Sequence, residues 1–232
     1  VSDGETLIID TGFNRPECKQ ALFDGLDELQ VDFTHTKLFL THLHGDHSGL
    51  TEELTARGVP VFMNAIDYDY LCQELASGGW QAMEQIFLSE GFPMEEIEKQ
   101  KKGNQARLYS PHHPFPASKV SDNDLLTVGG ITLRCIHTPG HTPGHTCLYI
   151  EDKEILFSGD HILFDITPNI SVWRNIPYSL ADYLESLQKI KGLKVSHTFP
   201  GHREFHGDIH DRINALTLHH HARLKEILDA ID

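Results

Sequence analysis

The sequence predicts an α/β fold, and three features of its pattern carry that prediction. Short apolar runs of strand length recur, amphipathic helical stretches follow them, and glycines mark many of the points where one gives way to the other. The 232 residues, 39% of them hydrophobic, can build a sizeable core, so a single domain over 1–232 is expected. The opening "ETLIID" reads as a buried strand and "TGFN" as its turn, with Asn14 capping a helix that carries Cys18, Leu22, Leu26 and Leu29 on one face. "KLFLT" at 37–41 is a second apolar strand. A histidine-rich loop follows it, after which Ser48 is expected to cap a short helix with Leu50 and Leu54 turned inward.

Residues 65–105 then change character, with helical periodicity and few β-branched residues. They end in the charged "EEIEKQKKGN" and the Pro/His loop "SPHHPFPAS", so a helical insertion is predicted over about 65–118. Beyond it "LLTV", "ITLRCI", "TCLYI" and "EILFS" form a second block of short strands joined by tight turns. Ser179 precedes a helix with Leu180, Tyr183, Leu184, Leu187 and Ile190 on one side, the strand-like "VSHTF" follows, and 208–232 is a long terminal helical segment. No solenoid period is present.

Composition narrows the function. The formal charge of −15, from 34 acidic against 19 basic residues, repels polyanions, so nucleic acid is not the expected partner. The four cysteines (Cys18, Cys72, Cys135, Cys147) lie far apart and form no CxxC, which fits neither a zinc knuckle nor a dense disulfide framework. A reduced, cytoplasmic setting is expected. No apolar run approaches the ~18 residues of a membrane helix.

The stretch "LTHLHGDHSGL" puts His42, His44, Asp46 and His47 into six consecutive positions after an apolar strand. In a tight loop all four side chains can converge on ligand distances of about 2.0 to 2.2 Å, with Gly45 allowing a sharp turn and Gly49 a close exit. A purely structural role does not call for so many imidazoles together. Four ligands exceed what one catalytic zinc takes, since that ion keeps a position open, and two metals are therefore expected. Further ligands are available at strand ends beside glycines: His141 after "ITLRCI", Asp160 after "EILFS" and His202 after "VSHTF".

HxHxDH at 42–47, TPGHT at 138–142, SGD at 158–160 and PGH at 200–202, in that order, resemble the metallo-β-lactamase superfamily across nearly the whole chain. The resemblance implies a four-layered αββα sandwich with the site at one edge. It implies that His42, His44 and His141 hold one metal, that Asp46, His47 and His202 hold the other, and that Asp160 bridges them. Two zinc ions are the implied cofactors, although iron or manganese also suits imidazole and carboxylate donors. Their shared water would be available as hydroxide near neutral pH, with Asp46 and Asp160 placed to orient it or take its proton. Family domains usually begin with another strand or two before the equivalent of "ETLIID", so the chain looks trimmed at its start.

Other residues carry quieter readings. His145 and His161 lie next to motif residues and either touch substrate or hydrogen-bond behind the ligands, and they stay outside the ligand set. His219, His220 and His221 fit solvated or interhelical positions, and His112 and His113 a loop surface. Trp173, Arg174 and Tyr178 either line the pocket or pack. The insertion's aromatics (Tyr68, Tyr70, Trp80, Phe87, Phe92) suit core or dimer contacts, and the insertion itself a lid or interface.

Two substrate classes survive. Acidic composition and similarity to hydroxyacylglutathione hydrolase-like proteins favour a small-molecule thioester, ester or lactone. The alternative is a phosphodiesterase, because "YLESLQKIKGL" and "LHHHARLKEIL" also resemble the family's endoribonucleases, whose chains continue into a winged-helix domain. True β-lactamases lack a bridging carboxylate where Asp160 stands, which argues against antibiotic hydrolysis. A metal-dependent scaffold without turnover is a third reading and would need a spoiled site.

Overall fold

The computed structural model describes residues 3–77, 79–205 and 207–231; the side chain of Trp80 lies outside the described residues. The chain carries two sheets and divides into two compact units, Val1–Val120 with Thr127–Ile131, and Ser121–Leu126 with Thr132–Asp232.

The first unit is built on a four-stranded sheet of order β1-β2-β3-β4, comprising β1 (Thr6–Ile9), β2 (Thr36–Leu40), β3 (Val61–Asn64) and β4 (Ser118–Val120). All three pairings are parallel, with Ile8 opposite Leu38, Phe39 opposite Phe62 and Met63 opposite Lys119. Buried parallel strands lack the alternation of half-exposed ones, and β2 accordingly buries Leu38, Phe39 and Leu40 completely. β3 and β4 do not stand out in the sequence. "VFMN" is only four residues, and "SKV" exposes two of its three, so sheet pairing rather than periodicity defines them.

Between β1 and β2 runs α1 (Pro16–Glu28). Its N-cap is Arg15, without a side-chain cap, because Pro16 supplies a pre-set φ at the helix start and Asn14 is left one residue outside. Leu26 is buried, whereas Leu29 falls at the C-cap and is 65% exposed, so the expected apolar face is one residue too long. After β2 come the short helices α2 (Gly45–Ser48) and α3 (Thr51–Thr55). Ser48 ends α2 rather than capping the next helix: its single hydroxyl proton is shared between the Leu43 and His44 carbonyls, at 3.0 and 2.9 Å. Leu50 and Leu54 are fully buried, as their spacing predicts.

The insertion is helical: α4 (Ala65–Ser77), α5 (Gly79–Ser89), α6 (Met94–Gly103) and α7 (Gln105–Tyr109). Glu84 of α5 ties it together, pairing with Lys101 of α6 at 3.0 Å and Arg107 of α7 at 2.5 Å. Tyr68 donates its hydroxyl to the Phe115 carbonyl at 2.7 Å, while Phe87 and Phe92 pack on each other with both rings about half exposed.

The second sheet has order β5-β6-β7-β8-β9, comprising β5 (Leu125–Val128), β6 (Ile131–His137), β7 (Thr146–Ile150), β8 (Ile155–Gly159) and β9 (His197–Pro200). β6, β7 and β8 are antiparallel neighbours, and β9 joins β8 in parallel. Against it pack α8 (Ser179–Lys191) and α9 (Ile209–Ile231), which share a core with Ile136, Cys147 and Leu156 through Tyr183, Leu187, Ile190, Ile213 and Leu216. Tyr178, not Ser179, occupies the N-cap of α8, and Ser179 is its first, buried residue. Asp208 caps α9 by accepting from the amides of His210 and Asp211 at 2.7 and 3.1 Å. The four cysteines are free, and burial pushes the thiols of Cys135 and Cys147 up to about 12, which keeps them unreactive. Among the described residues no helix is long and apolar enough to cross a membrane.

Two expected outcomes follow from this packing. Gly140 has φ +134°, and a Cβ there would lie 2.4 Å from the Tyr183 Cβ. Gly140→Ala should therefore lower the unfolding free energy by about 3 kcal/mol or more, read by denaturant titration. A loss within about 0.5 kcal/mol would contradict this packing. On α4, burial pushes the Glu74 carboxyl up to about 7, and the Asp67 charge adds to the shift. A carboxyl whose folded value is raised costs stability once pH climbs above its unfolded value, with the full penalty above the folded one. Glu74→Gln should raise the melting temperature at pH 8, and that gain should disappear as pH falls to about 4.5.

Candidate metal centre

The residues singled out from the sequence sit in two constellations, one in each unit. In the first, β2 delivers Thr41 and His42 at its end. The Thr41 amide donates to Asp10 Oδ1 at 2.8 Å and its hydroxyl to Asp10 Oδ2 at 2.8 Å, while Thr41 Oγ1 lies 2.9 Å from His42 Nδ1. His47 Nδ1 meets the same Asp10 Oδ2 at 2.8 Å. Thr11 donates to the His47 carbonyl through both its amide, at 2.8 Å, and its hydroxyl, at 2.9 Å. Both His42 and His47 are buried, so their orientations are fixed from behind.

Their other nitrogens face potential co-ligands. His42 Nε2 lies 3.1 Å from His44 Nδ1, and His47 Nε2 lies 3.8 Å from Asp46 Oδ2. Two donors each about 2.0–2.1 Å from one tetrahedral ion stand about 3.3 Å apart, so these spacings suit shared coordination. The backbone differs from the expected open loop, because Asp46 and His47 belong to the single helical turn of α2. Gly45 is needed there for close packing and not for a turn: a Cβ would sit 2.6 Å from Ser110 Oγ and 3.2 Å from the Ala106 carbonyl of α7. Gly49 packs as expected, with Asn14 N and Gly12 O at 2.5 and 2.6 Å from the position of a Cβ.

In the second constellation, Asp160 Oδ2 lies 3.5 Å from His141 Nε2 and 3.4 Å from His202 Nε2. One carboxylate oxygen thus faces two imidazoles. His141 Nδ1 donates to the Asn169 carbonyl at 2.6 Å, which makes Nε2 the nitrogen it could offer a metal, and Trp173 Nε1 donates to the His141 carbonyl at 3.2 Å. Trp173 is therefore anchored to the constellation, while Tyr178 is 72% exposed. His145 stands behind Asp160: its Nε2 accepts from the Asp160 amide at 3.1 Å and its Nδ1 lies 2.8 Å from Thr138 Oγ1. Both ring nitrogens are thereby used, in keeping with its exclusion from the ligand set.

His161 has a packing role. Burial pushes its imidazole down to about 3, neither nitrogen makes a well-formed hydrogen bond, and the ring stands edge-on to Tyr183 at 5.2 Å. His220 of α9 also packs on Tyr183 of α8, at 5.4 Å between ring centroids, which is the interhelical position expected of one member of that run. His112 and His113 are exposed, and their amides donate to Glu52 Oε1.

Sequence reasoning missed three supporting residues. Asp10 ends an apolar strand, the same placement that singled out the ligands, and its φ of +61° turns the chain there. Thr41 directly precedes the motif. Asp67, fully buried at the start of α4, accepts from the Leu43 amide at 3.0 Å between the two motif histidines. Nothing in the sequence sets it apart from an ordinary acidic residue in a first helical turn. The histidines and aspartates of both constellations fall into groups that could hold a metal ion, and the donor set of imidazole and carboxylate suits zinc, iron or manganese.

The chain as a whole is similar to known proteins. The family model described as the metallo-beta-lactamase superfamily matches residues 1–202. A metallo-beta-lactamase family protein of solved structure from Thermus thermophilus is 30% identical, with a TM-score of 0.88 over 100% of this chain and 76% of its own. An atrochrysone carboxyl ACP thioesterase from Cryptosporiopsis sp. is 25% identical over 98% of this chain and 55% of its own length. A beta-lactamase-like protein 2 homolog from Caenorhabditis elegans is 26% identical over 97% and 61% respectively. The chain thus spans little more than half the length of these curated relatives. By the family model and by its likeness to the Thermus structure, the chain belongs to the metallo-beta-lactamase superfamily, whose α/β fold it shares.

Proposed function

We propose that this chain carries the catalytic centre of a metal-dependent hydrolase that holds two ions and acts on a small thioester, ester or lactone. His42, His44 and His141 would hold one ion, Asp46, His47 and His202 the other, and Asp160 both. The observation that carries this reading is the single Asp160 oxygen facing His141 and His202 at 3.5 and 3.4 Å, the disposition a bridging carboxylate requires. When bound, two zinc ions supply Lewis acidity and a hydroxide at neutral pH. The chain's own residues do the rest. Asp10 and Asn169 hold the rings of His47 and His141, and His145 holds the Asp160 backbone. Asp46, with 29% of its side chain exposed, is open enough to orient the attacking water and take its proton.

A thioester is the favoured substrate because proteins similar to this one include ACP thioesterases, and because a chain of charge −15 repels polyanions. The phosphodiesterase alternative depends on a cationic strip. The one candidate, at 99–102, is largely neutralised, with Lys99 paired to Glu96 and Lys101 to both Glu84 and Glu98.

The test is hydrolysis by the zinc-reconstituted protein of a glutathione thioester, a chromogenic phosphodiester and a β-lactam in parallel. The thioester should turn over fastest. Removing the metal with a chelator should abolish turnover and lower the melting temperature. Asp160→Ala should lose bound metal and at least about 100-fold in rate while staying folded. Unchanged metal content and turnover in that variant would contradict the bridging assignment, and preference for the diester would overturn the substrate class.

A further inference from the structure

The protons around Asp10 can be placed by counting donors. A carboxylate only accepts, and a hydroxyl has one proton to give. Thr41 Oγ1 lies 2.8 Å from Asp10 Oδ2 and 2.9 Å from His42 Nδ1, so its single proton must serve one of the two. Pointing it at His42 would leave two oxygen acceptors facing each other at 2.8 Å. The proton therefore goes to Asp10, and the histidine contact is an Nδ1–H donated to Thr41 Oγ1. His47 is simpler, since its Nδ1 meets Asp10 Oδ2 directly and has to be the donor. One carboxylate thus selects the same tautomer in two histidines, in one directly and in the other through a hydroxyl. Each neutral ring then carries an unprotonated Nε2, and that of His42 lies 3.1 Å from His44 Nδ1.

We infer that Thr41 is a positioning residue, whose hydroxyl relays Asp10 to His42 and holds His42 as the Nδ1–H tautomer, with Nε2 unprotonated, before any metal arrives. Thr41 is 1% exposed and its amide also donates to Asp10 Oδ1, so the hydroxyl has no freedom to rotate away to solvent. Without it, His42 would pay the cost of choosing a tautomer at the moment of binding. The inference rests on the assignment of His42 as a ligand, but its central feature exists in the metal-free protein.

The experiment compares the wild type, Thr41→Val and Thr41→Ser. Nitrogen-15 NMR of the imidazoles reads the tautomers in metal-free protein, and zinc affinity is measured by competition with a chromophoric chelator. In the wild type both His42 and His47 should be Nδ1–H. Thr41→Val, which keeps the shape and removes the hydroxyl, should release His42 to a mixture, leave His47 unchanged, and weaken zinc binding by about 10- to 100-fold. Thr41→Ser should restore both readings. An unchanged His42 tautomer in the valine variant, a serine variant that behaves like valine, or equal disturbance of His47 would each overturn the inference. A wild type that binds no zinc would refute the ligand assignment instead, with the tautomer reading still deciding the role of Thr41.

Discussion

The first constellation depends on one carboxylate. Asp10 receives hydrogen bonds from the Thr41 amide, the Thr41 hydroxyl and the His47 ring, which together fix the exit of β2 and the start of the motif helix. Imidazoles have two nitrogens and a free ring flip, and a metal-binding geometry is specific only when the nitrogen turned away from the ion is committed elsewhere. Asp10 makes that commitment for the buried pair. Its own position follows from backbone pairing, since the Asp10 amide donates to the Phe39 carbonyl at 2.9 Å and continues the β1–β2 ladder by one residue. The sheet register thereby sets the aim of the His47 ring and of the Thr41 hydroxyl beside His42.

The second constellation solves the same problem with different groups. A main-chain carbonyl, that of Asn169, commits His141, and a buried histidine, His145, commits the Asp160 backbone. Asn169 belongs to the connection between β8 and α8, and His145 to the connection between β6 and β7. Gly140 shows how close the packing against Tyr183 is, since the chain passes it with no room for a methyl group. His202 and Asp46 both keep an open position: 36% of the His202 side chain and 29% of that of Asp46 remain exposed, against 2% for His47. Asp46, proposed to orient the water, is thus open to solvent, whereas the Asp160 side chain is only 8% exposed.

Much of this was legible in the sequence because it is local. The strand before each candidate ligand, the histidine spacing and the ordered motifs are all properties of short windows, and the α/β class follows from the alternation of those windows. What was not legible depends on partners distant in sequence. Asp67 is distinguished only by the Leu43 amide that it meets 24 positions earlier, and β4 only by the edge of β3. Gly45 looked like a turn residue and proved to be a packing residue, because the α7 helix that crowds it lies some 60 positions away in the chain. Ser48 looked like a cap because serine often is one, yet two carbonyls within reach of its hydroxyl made back-bonding the better option.

The central claim is that Asp160 serves two ions at once. Native mass spectrometry of the zinc-loaded chain, beside the Asp160→Asn variant, measures it most directly, since an amide keeps the shape but cannot bridge two cations as a carboxylate does. The account predicts two zinc ions per wild-type chain and at most one in the variant at the same free zinc concentration. A wild type that saturates with a single ion, or a variant that still holds two, would contradict it.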